Sequence, residues 1–532
     1  MPGLLPRFLY TVLIFKEVNV AKICLCLTAK TIERNLEILK KYRKFADLAE
    51  LRVDCLDPDE RLLIRRFPEI AGLPVILTIR RDIDGGLFTS GEGARVKLLA
   101  RGLAYANADR RFNFAYVDIE EDFDVPSLEE AARTFGTRII RSCHDLNGVT
   151  NDISAKIKSM QRTGDEIVKV AVTAKSVSDV LRVYRFSKSC PVHDKILICM
   201  GHYGIYSRIL AEKFGSLFCY SSALSENETP GAAGHIDVQE LAELYRFRKI
   251  SKNTKIYGVA GNPLKASISP WFFNTAFGIE NTDAVYVPFP ADSIEELFKL
   301  ANEMNVRGLS VTVPFKETVL NEIADCSEEV QSIGACNTIS RTPDGWFGEN
   351  TDCTGFSDSL LNFLGKKKLK RQKITIIGAG GAARAVAAEV YRLGGKALIL
   401  NRTVTKARNI ASQYRFQWGG LDSRGIEMAA KYSDVIIQTS SVGMEGYETS
   451  DPLEMYAFTG EEAVMDLIYT PAQTPFLKRA AAAGCRTLNG FDMVIRQACL
   501  QYASFMGKEV PRQLLTRINK TGANAWNKIR TG

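Results

Sequence analysis

Histidine is scarce in this chain, with four residues (His144, His193, His202 and His235) among 532. Twelve cysteines are present, yet no CxxC spacing occurs, so a zinc or other metal centre is poorly supplied and none is expected. Without paired spacing, the cysteines read as free, mostly buried thiols of a reducing compartment, and a cytoplasmic location is expected. No apolar run reaches the ~20 residues that a membrane-spanning helix needs, so no membrane partner is expected. The stretch from Phe8 to Phe15 follows Arg7 and faintly imitates a signal peptide. It is short, Lys16 and Glu17 follow at once, and no small-residue cleavage pattern is present. Residues 1–20 therefore read as a loose N-terminal extension. Charge of one sign is little clustered too. The net +8 is spread along the chain, and only Lys366 to Arg371 forms a basic run. That run reads as a solvated connector, which favours small anionic substrates over nucleic acid.

What is present is a long, ordinary globular composition, 46% hydrophobic and 24% charged. The length is too great for one core and implies about three or four folding units. Residues 22–222 hold eight strand-like runs, 22–28, 48–53, 74–79, 112–119, 137–142, 167–172, 195–199 and 217–220, separated mostly by helix-compatible segments. Eight such units within about 230 residues predict a (β/α)₈ barrel over 21–250. Barrels of this kind place reactive groups at the carboxyl ends of their strands. Polar residues gather there: Glu50 and Arg52, Arg80, Asp118 and Glu120, His144, and His202 after Met200 and Gly201. Most informative is Lys169, inside the β-branched run Ile167 to Val172. Burial disfavours an ammonium, so this lysine is expected to offer a neutral amine to a ketone. Taken singly, Lys169 reads equally as one half of a structural ion pair, and His144 as a satisfied strand-end imidazole. Taken together they form an electrophile-handling site, with His144 as the proton carrier and the arginines as anion clamps.

From about Ser251 the pattern changes. A strand-like run, Lys255 to Ala260, leads into a loop rich in glycine, proline and serine, Gly261 to Pro270. Further on, Lys373 to Ile377 precede Gly378, Ala379, Gly380, Gly381, Ala382 and Ala383. Strand, glycine turn and helix in this order suit a dinucleotide pyrophosphate. The next strand ends in Asn401, Arg402 and Thr403, with Lys406 close behind. A basic residue standing where NAD sites carry an acid suits a 2′-phosphate, so NADP is the expected cofactor. The second half is expected to hold a substrate-binding domain over 251–369, completed by helices in 490–532, around a Rossmann domain at 370–489.

These residues closely resemble two consecutive enzyme families of the shikimate pathway fused in one chain: type I 3-dehydroquinate dehydratase, then shikimate dehydrogenase. In the first family's pattern, the Schiff-base lysine matches Lys169 and the acid/base histidine His144. The Glu-x-Arg pair matches Glu50 and Arg52, two further arginines match Arg80 and Arg208, and the late serine segment matches Ser221 and Ser222, followed by Thr229, Pro230 and Gly231. A glutamine commonly follows that Pro-Gly, where Ala232 stands here. In the second family's pattern, the serine loop matches Ser267 and Ser269, with Ala266 replacing a usual histidine. The segment Asn-Val-Thr-x-Pro-x-Lys matches Ser310 to Lys316, with Ser310 replacing asparagine and Thr312 retained. Asn337, Thr338, Tyr469 and Gln497 match substrate-binding positions, and Lys316 with Asp352 the catalytic pair. Read without the family, Asp352 is a helix N-cap.

The resemblance implies dehydration of 3-dehydroquinate through a lysine imine, Glu50 orienting His144, and reduction of 3-dehydroshikimate to shikimate with NADPH. Two rival readings exist. One is a non-catalytic sensor resembling quinate repressors, against which the four intact catalytic residues speak. The other is a dehydrogenase that accepts quinate as well.

Overall fold

The computed structural model describes residues 21–104, 109–150, 152–226, 234–264, 267–444 and 449–519. The expected extension at 1–20 and positions Thr229 to Ala232 and Ala266 lie outside them.

Eight parallel strands form the first sheet: β1 (Lys22–Leu27), β2 (Leu48–Arg52), β3 (Val75–Thr78), β4 (Tyr116–Glu120), β5 (Arg138–Asp145), β6 (Ile167–Thr173), β7 (Lys195–Met200) and β8 (Phe218–Ser222). Their order runs β7-β6-β5-β4-β3-β2-β1-β8. The ring closes where Leu217 N–H donates to the Lys195 carbonyl at 2.9 Å. All eight expected runs are strands, with two informative shifts. The fourth starts at Tyr116 because Arg110–Phe112 form a 3₁₀ turn capped by the Asp109 carboxylate. The fifth continues to Asp145, which puts His144 on the strand and opposite Ala171 of β6.

The β-branched run of β6 is buried along six of its seven residues, as a strand covered on both faces should be. Its following helix, Val177–Ser189, begins at the cap residue Ser176, whose hydroxyl accepts from Asp179 N–H. That cap satisfies one of the helix's orphan amides.

A second sheet, mixed, comprises β9 (Lys255–Gly261), β10 (Ala284–Pro290), β11 (Val306–Val311), β12 (Asp325–Cys326), β13 (Thr338–Thr342) and β14 (Gly345–Glu349). Its order is β10-β9-β11-β13-β14-β12. The third sheet is wholly parallel: β15 (Lys373–Ile377), β16 (Lys396–Leu400), β17 (Gln417–Gly419), β18 (Val435–Gln438), β19 (Ala463–Asp466) and β20 (Arg486–Leu488). The order β17-β16-β15-β18-β19-β20 is the doubly wound Rossmann order, whose reversal falls beside β15.

Barrel and second sheet share one continuous apolar core. The barrel helix Val177–Ser189 lies against Ile294–Glu303. Val177 N–H donates to Asp292 at 3.0 Å and the Ser178 hydroxyl to Glu296 at 2.6 Å. Tyr206 and Phe289 place ring centroids 4.9 Å apart across the same seam. Among the described residues no helix is long and apolar enough to cross a membrane. None of the twelve cysteines is in a disulfide.

Candidate active sites

Because side chains alternate along a strand, Glu50 and Arg52, Asp118 and Glu120, and Lys169 and Ala171 each share one face. The barrel turns those faces inward and converges them at its carboxyl end. A cavity of about 250 Å³ opens there, lined among others by Glu50, Arg52, Arg80, His144, Lys169, Arg208, Tyr220 and His235. Three arginines and a lysine face it against two carboxylates, Glu50 and Asp84, an excess of cation that suits an anionic ligand.

The hub beneath this cavity is Asp118. Its carboxylate accepts from Lys169 Nζ at 2.8 Å and from the Ser142 hydroxyl at 2.6 Å, and it pairs with Arg80 Nη2 at 2.8 Å. Burial alone would raise its pKa, but Arg80 and then Lys169 outweigh it and hold the carboxyl well below the usual range. Arg80 also pairs with Glu120 at 2.6 Å, and Arg95, fully buried, braces Glu120 from behind. Lys169 is 4% exposed. It is held from the other side by the ring of Tyr220, whose centroid is 4.1 Å from Nζ. Lys169 is therefore not isolated among apolar side chains, since a carboxylate and an aromatic face replace its water.

His144 has no hydrogen-bond partner on Nδ1 among the described residues. Burial, then Arg80 and Lys169, push its pKa well below 6.5, leaving a neutral imidazole. Glu50, expected to orient or polarise it, makes no hydrogen bond to it. Glu50 accepts from the Thr78 hydroxyl at 2.9 Å, and the Asp118 charge opposes the lowering of the imidazole's pKa without overcoming it. Arg52 forks onto Asp54 at 2.7 and 2.9 Å. Arg208 donates to the Tyr220 carbonyl at 3.3 Å, and burial draws its pKa down.

Ser221 is not brought to the cavity wall: its hydroxyl donates to the Cys24 carbonyl at 3.3 Å, between strands. Ser222, one residue on and on the opposite face, pairs instead with His235 Nδ1 at 2.6 Å. His235 enters the cavity because its backbone is clamped at the barrel mouth. Gly234, at φ +85°, packs on Gly201, and Asp237 bridges Ser222. Tyr220 and His235 are not foreseen from the sequence, and Asp118 is foreseen as a strand-end acid but not as the partner of Lys169. The period-2 alternation that flagged Asp118 as a strand-end acid was the available signal for it.

In the second half, Lys316 Nζ donates to Asp352 Oδ2 at 2.5 Å. Asp352 is not the cap expected from its position. Asn350 is, accepting from Asp352 N–H at 3.1 Å, and Asp352 occupies the first turn of the helix Thr351–Leu364. There a carboxylate complements the helix dipole.

Around this pair runs a polar chain. The Asn337 amide oxygen accepts from the Thr338 hydroxyl at 2.8 Å and from Thr351 N–H at 2.8 Å, and its nitrogen reaches Gln497 at 3.5 Å. Gln501 donates to the Thr338 hydroxyl at 3.0 Å and accepts from Ser310 at 2.7 Å, while Tyr286 donates to Ser310 at 2.6 Å. Ser310, at the position where the resembled family carries asparagine, is thus an interior link of that chain. Tyr469 accepts from Ile268 N–H at 3.4 Å, and Ser269 N–H donates to the Ser267 hydroxyl at 3.3 Å, so tyrosine and serine loop meet. The methyl carbon of Thr312 lies against Gly261, where an added Cβ would approach to 2.3 Å. Tyr286, Gln501 and Thr351 were not foreseen. Gln501 follows Gln497 by four on the helix Phe491–Met506, a spacing that shares a face.

The glycine turn follows β15. Gly378 stands at φ +114°, and a Cβ there would meet Thr439 Oγ1 at 2.5 Å, whereas a Cβ on Gly380 would meet nothing within 4 Å. An open N-terminal turn at the start of Gly381–Arg392 is the shape a pyrophosphate needs. Gly381 faces Lys316, an added Cβ lying 3.1 Å from the lysine's own, so this helix abuts the Lys316–Asp352 pair. Arg402, Thr403 and Lys406 are exposed past the end of β16, and Asn401 donates to the Thr403 carbonyl at 3.0 Å. This donor set fits a 2′-phosphorylated dinucleotide.

A lysine-centred barrel followed by a mixed lobe and a Rossmann lobe defines a lyase joined to an oxidoreductase. Residues 23–252 match the model of type I 3-dehydroquinase. Residues 259–339 match the shikimate dehydrogenase substrate binding domain, and 362–447 the shikimate / quinate 5-dehydrogenase model. The bifunctional 3-dehydroquinate dehydratase/shikimate dehydrogenase, chloroplastic, of Arabidopsis thaliana is 29% identical over 94% of this chain and 84% of its own length. A shikimate dehydrogenase (NADP(+)) of Caldanaerobacter subterraneus is 35% identical over 49% of this chain and 94% of its own. A crystal structure of shikimate 5-dehydrogenase from Thermus thermophilus, in complex with NADP(H) and shikimate, is 28% identical. It covers 52% of this chain and 99% of its own, with a TM-score of 0.44. The chain belongs to the shikimate dehydrogenase family, with a type I 3-dehydroquinase unit fused ahead of it.

Proposed function

We propose that the chain performs two consecutive steps of the shikimate pathway, converting 3-dehydroquinate to 3-dehydroshikimate in the barrel and reducing that product to shikimate in the second half. The observation that carries the first step is Lys169, buried at a cationic cavity beside a neutral His144. The Lys169 ammonium gives up one proton and adds as the amine to the ketone carbon; the carbonyl oxygen takes that proton and a second one from the nitrogen and leaves as water, giving a protonated imine. His144 takes the proton next to the imine carbon, and the electron pair moves into the C–N system. The imidazolium then returns its proton to the departing hydroxyl, which leaves as water. Hydrolysis of the imine frees the amine and the unsaturated ketone. Arg52, Arg80 and Arg208 supply guanidinium groups for the carboxylate and hydroxyls.

For the second step, Gly378 to Ala382 and the Asn401 to Lys406 segment would hold NADP(H). Bound NADPH supplies the hydride that the ketone receives. Lys316 gives its proton to the developing alkoxide oxygen, and Asp352, 2.5 Å from Nζ, holds that ammonium in place. Ser267 and Ser269 bind the carboxylate, with Tyr469 bracing their loop; Asn337, Thr338, Thr312 and Gln497 bind hydroxyls. Net direction is set by metabolite ratios, and a supply of NADPH favours reduction. Free thiols suit a reducing compartment, whether the cytosol or, as in the relative named chloroplastic, a plastid.

Mixing the pure protein with 3-dehydroquinate and NADPH tests both halves at once. Loss of reduced-nicotinamide absorbance that depends on dehydroquinate is expected. Lys169→Ala should abolish this loss and the borohydride trapping of substrate, and added 3-dehydroshikimate should restore NADPH oxidation. Trapping that persists in the variant would refute the lysine assignment.

A further inference from the structure

Tyr220 is a polar side chain of the barrel site whose chemistry the dehydration scheme leaves unused while its surroundings are fully built. On β8 it shares the inward face with Phe218 and Ser222 and packs among Cys24, Cys26, Ile198 and Met200. It is 3% exposed, lines the cavity, and carries a hydroxyl without a hydrogen-bond partner among the described residues. A phenylalanine would fill the same volume with no buried hydroxyl to satisfy, so the oxygen is a standing cost unless a ligand meets it. His144 Nδ1, on another residue that lines the cavity, is in the same condition. Burial, and then the nearby Glu50 charge, push the phenol far above its ordinary pKa of 10.0, so it stays a neutral donor. Its ring centroid lies 4.1 Å from Lys169 Nζ, which also donates to the Asp118 carboxylate at 2.8 Å.

Resting on the dehydratase reading above, we propose that Tyr220 is a further substrate-contacting residue of that site. Its ring face carries the positive charge at Nζ from ammonium to iminium, and its hydroxyl donates to an oxygen of the bound substrate. The two roles separate by substitution, in the full chain. Tyr220→Phe keeps the ring and removes the donor: KM for dehydroquinate should rise about tenfold with kcat little changed, and borohydride trapping at saturating substrate should persist. Tyr220→Leu removes the ring as well and should in addition slow trapping at saturating dehydroquinate by about tenfold. NADPH-dependent reduction of 3-dehydroshikimate by the same preparations reports folding, since the barrel tyrosine lies outside that site. KM and kcat of Tyr220→Phe both within about twofold of the parent would overturn the proposal. Failure of the parent itself to trap dehydroquinate at Lys169 is a different result, and would remove the dehydratase reading on which the proposal stands.

Discussion

Asp118 is the residue on which the barrel site turns. Lys169 hydrogen-bonds to it, Arg80 and Ser142 converge on it, and its charge acts on His144. Such a carboxylate, ionised under two cations, keeps the lysine in place without becoming the proton acceptor. In the proposed scheme that task falls to His144. Its imidazole is held neutral by burial, then by Arg80 and Lys169. Since the lowered pKa favours the neutral base, the base should remain competent as pH falls through 6.5. The profile of kcat/KM for dehydration is therefore expected to stay flat down to about pH 6 and to fall only below it. An acid limb whose midpoint sits at or above 6.5 would contradict a buried, cation-flanked His144. Lys169 and His144 were legible because each stands in a strand whose residues announce it. Asp118 was visible only as a strand-end acid. Its partner lies 51 residues away, and pairing between strands is not encoded in the period of either one.

At the scale of elements, the turn after β15 is the most exacting piece of backbone. Gly378 combines a left-handed φ of +114° with Thr439 Oγ1 2.5 Å from where a Cβ would stand. A side chain there is strained twice, by its own backbone and by its neighbour. Gly378→Ala should raise KM for NADPH at least about tenfold while dehydration of 3-dehydroquinate by the same chain is unchanged, because the barrel shares nothing with this turn. An unaltered cofactor KM would show that the turn does not cradle the pyrophosphate. Turn, strand and helix were all readable here, since glycine spacing and β-branched runs act locally. The chain from Tyr286 through Ser310 and Gln501 to Thr338 was not. It links four segments, each more than twenty residues from the next, and only packing brings them into register.

Across the whole molecule, the two enzymes are joined by a seam rather than by a tether. The helix Val177–Ser189 and Tyr206 belong to the barrel, while Asp292, Glu296 and Phe289 belong to the second unit. At the barrel mouth, His202 Nε2 meets Asn262 Oδ1 of the loop that leads to the serines at 3.2 Å. Tyr206 is fully buried against Phe289. Tyr206→Ala should cost about 3–5 kcal/mol and lower the heat resistance of both activities together. A shift in the dehydratase alone, with dehydrogenase inactivation unmoved, would mean that the two units unfold independently.

By itself the sequence determined the eight strands and their inward alternation, the reactive lysine and histidine, the glycine turn, and the basic strand end in place of an acid. All of these follow from periodicity, turn chemistry and side-chain type over a few neighbouring residues. Only the tertiary structure decided which carboxylate Lys169 meets, that Glu50 serves Thr78 rather than His144, that Ser221 faces a strand and His235 the cavity, and that Tyr220 lies under the amine. Those choices depend on closing the barrel. Closure sets strands from distant parts of the chain side by side, and no local pattern specifies which side chains then share a face of the cavity.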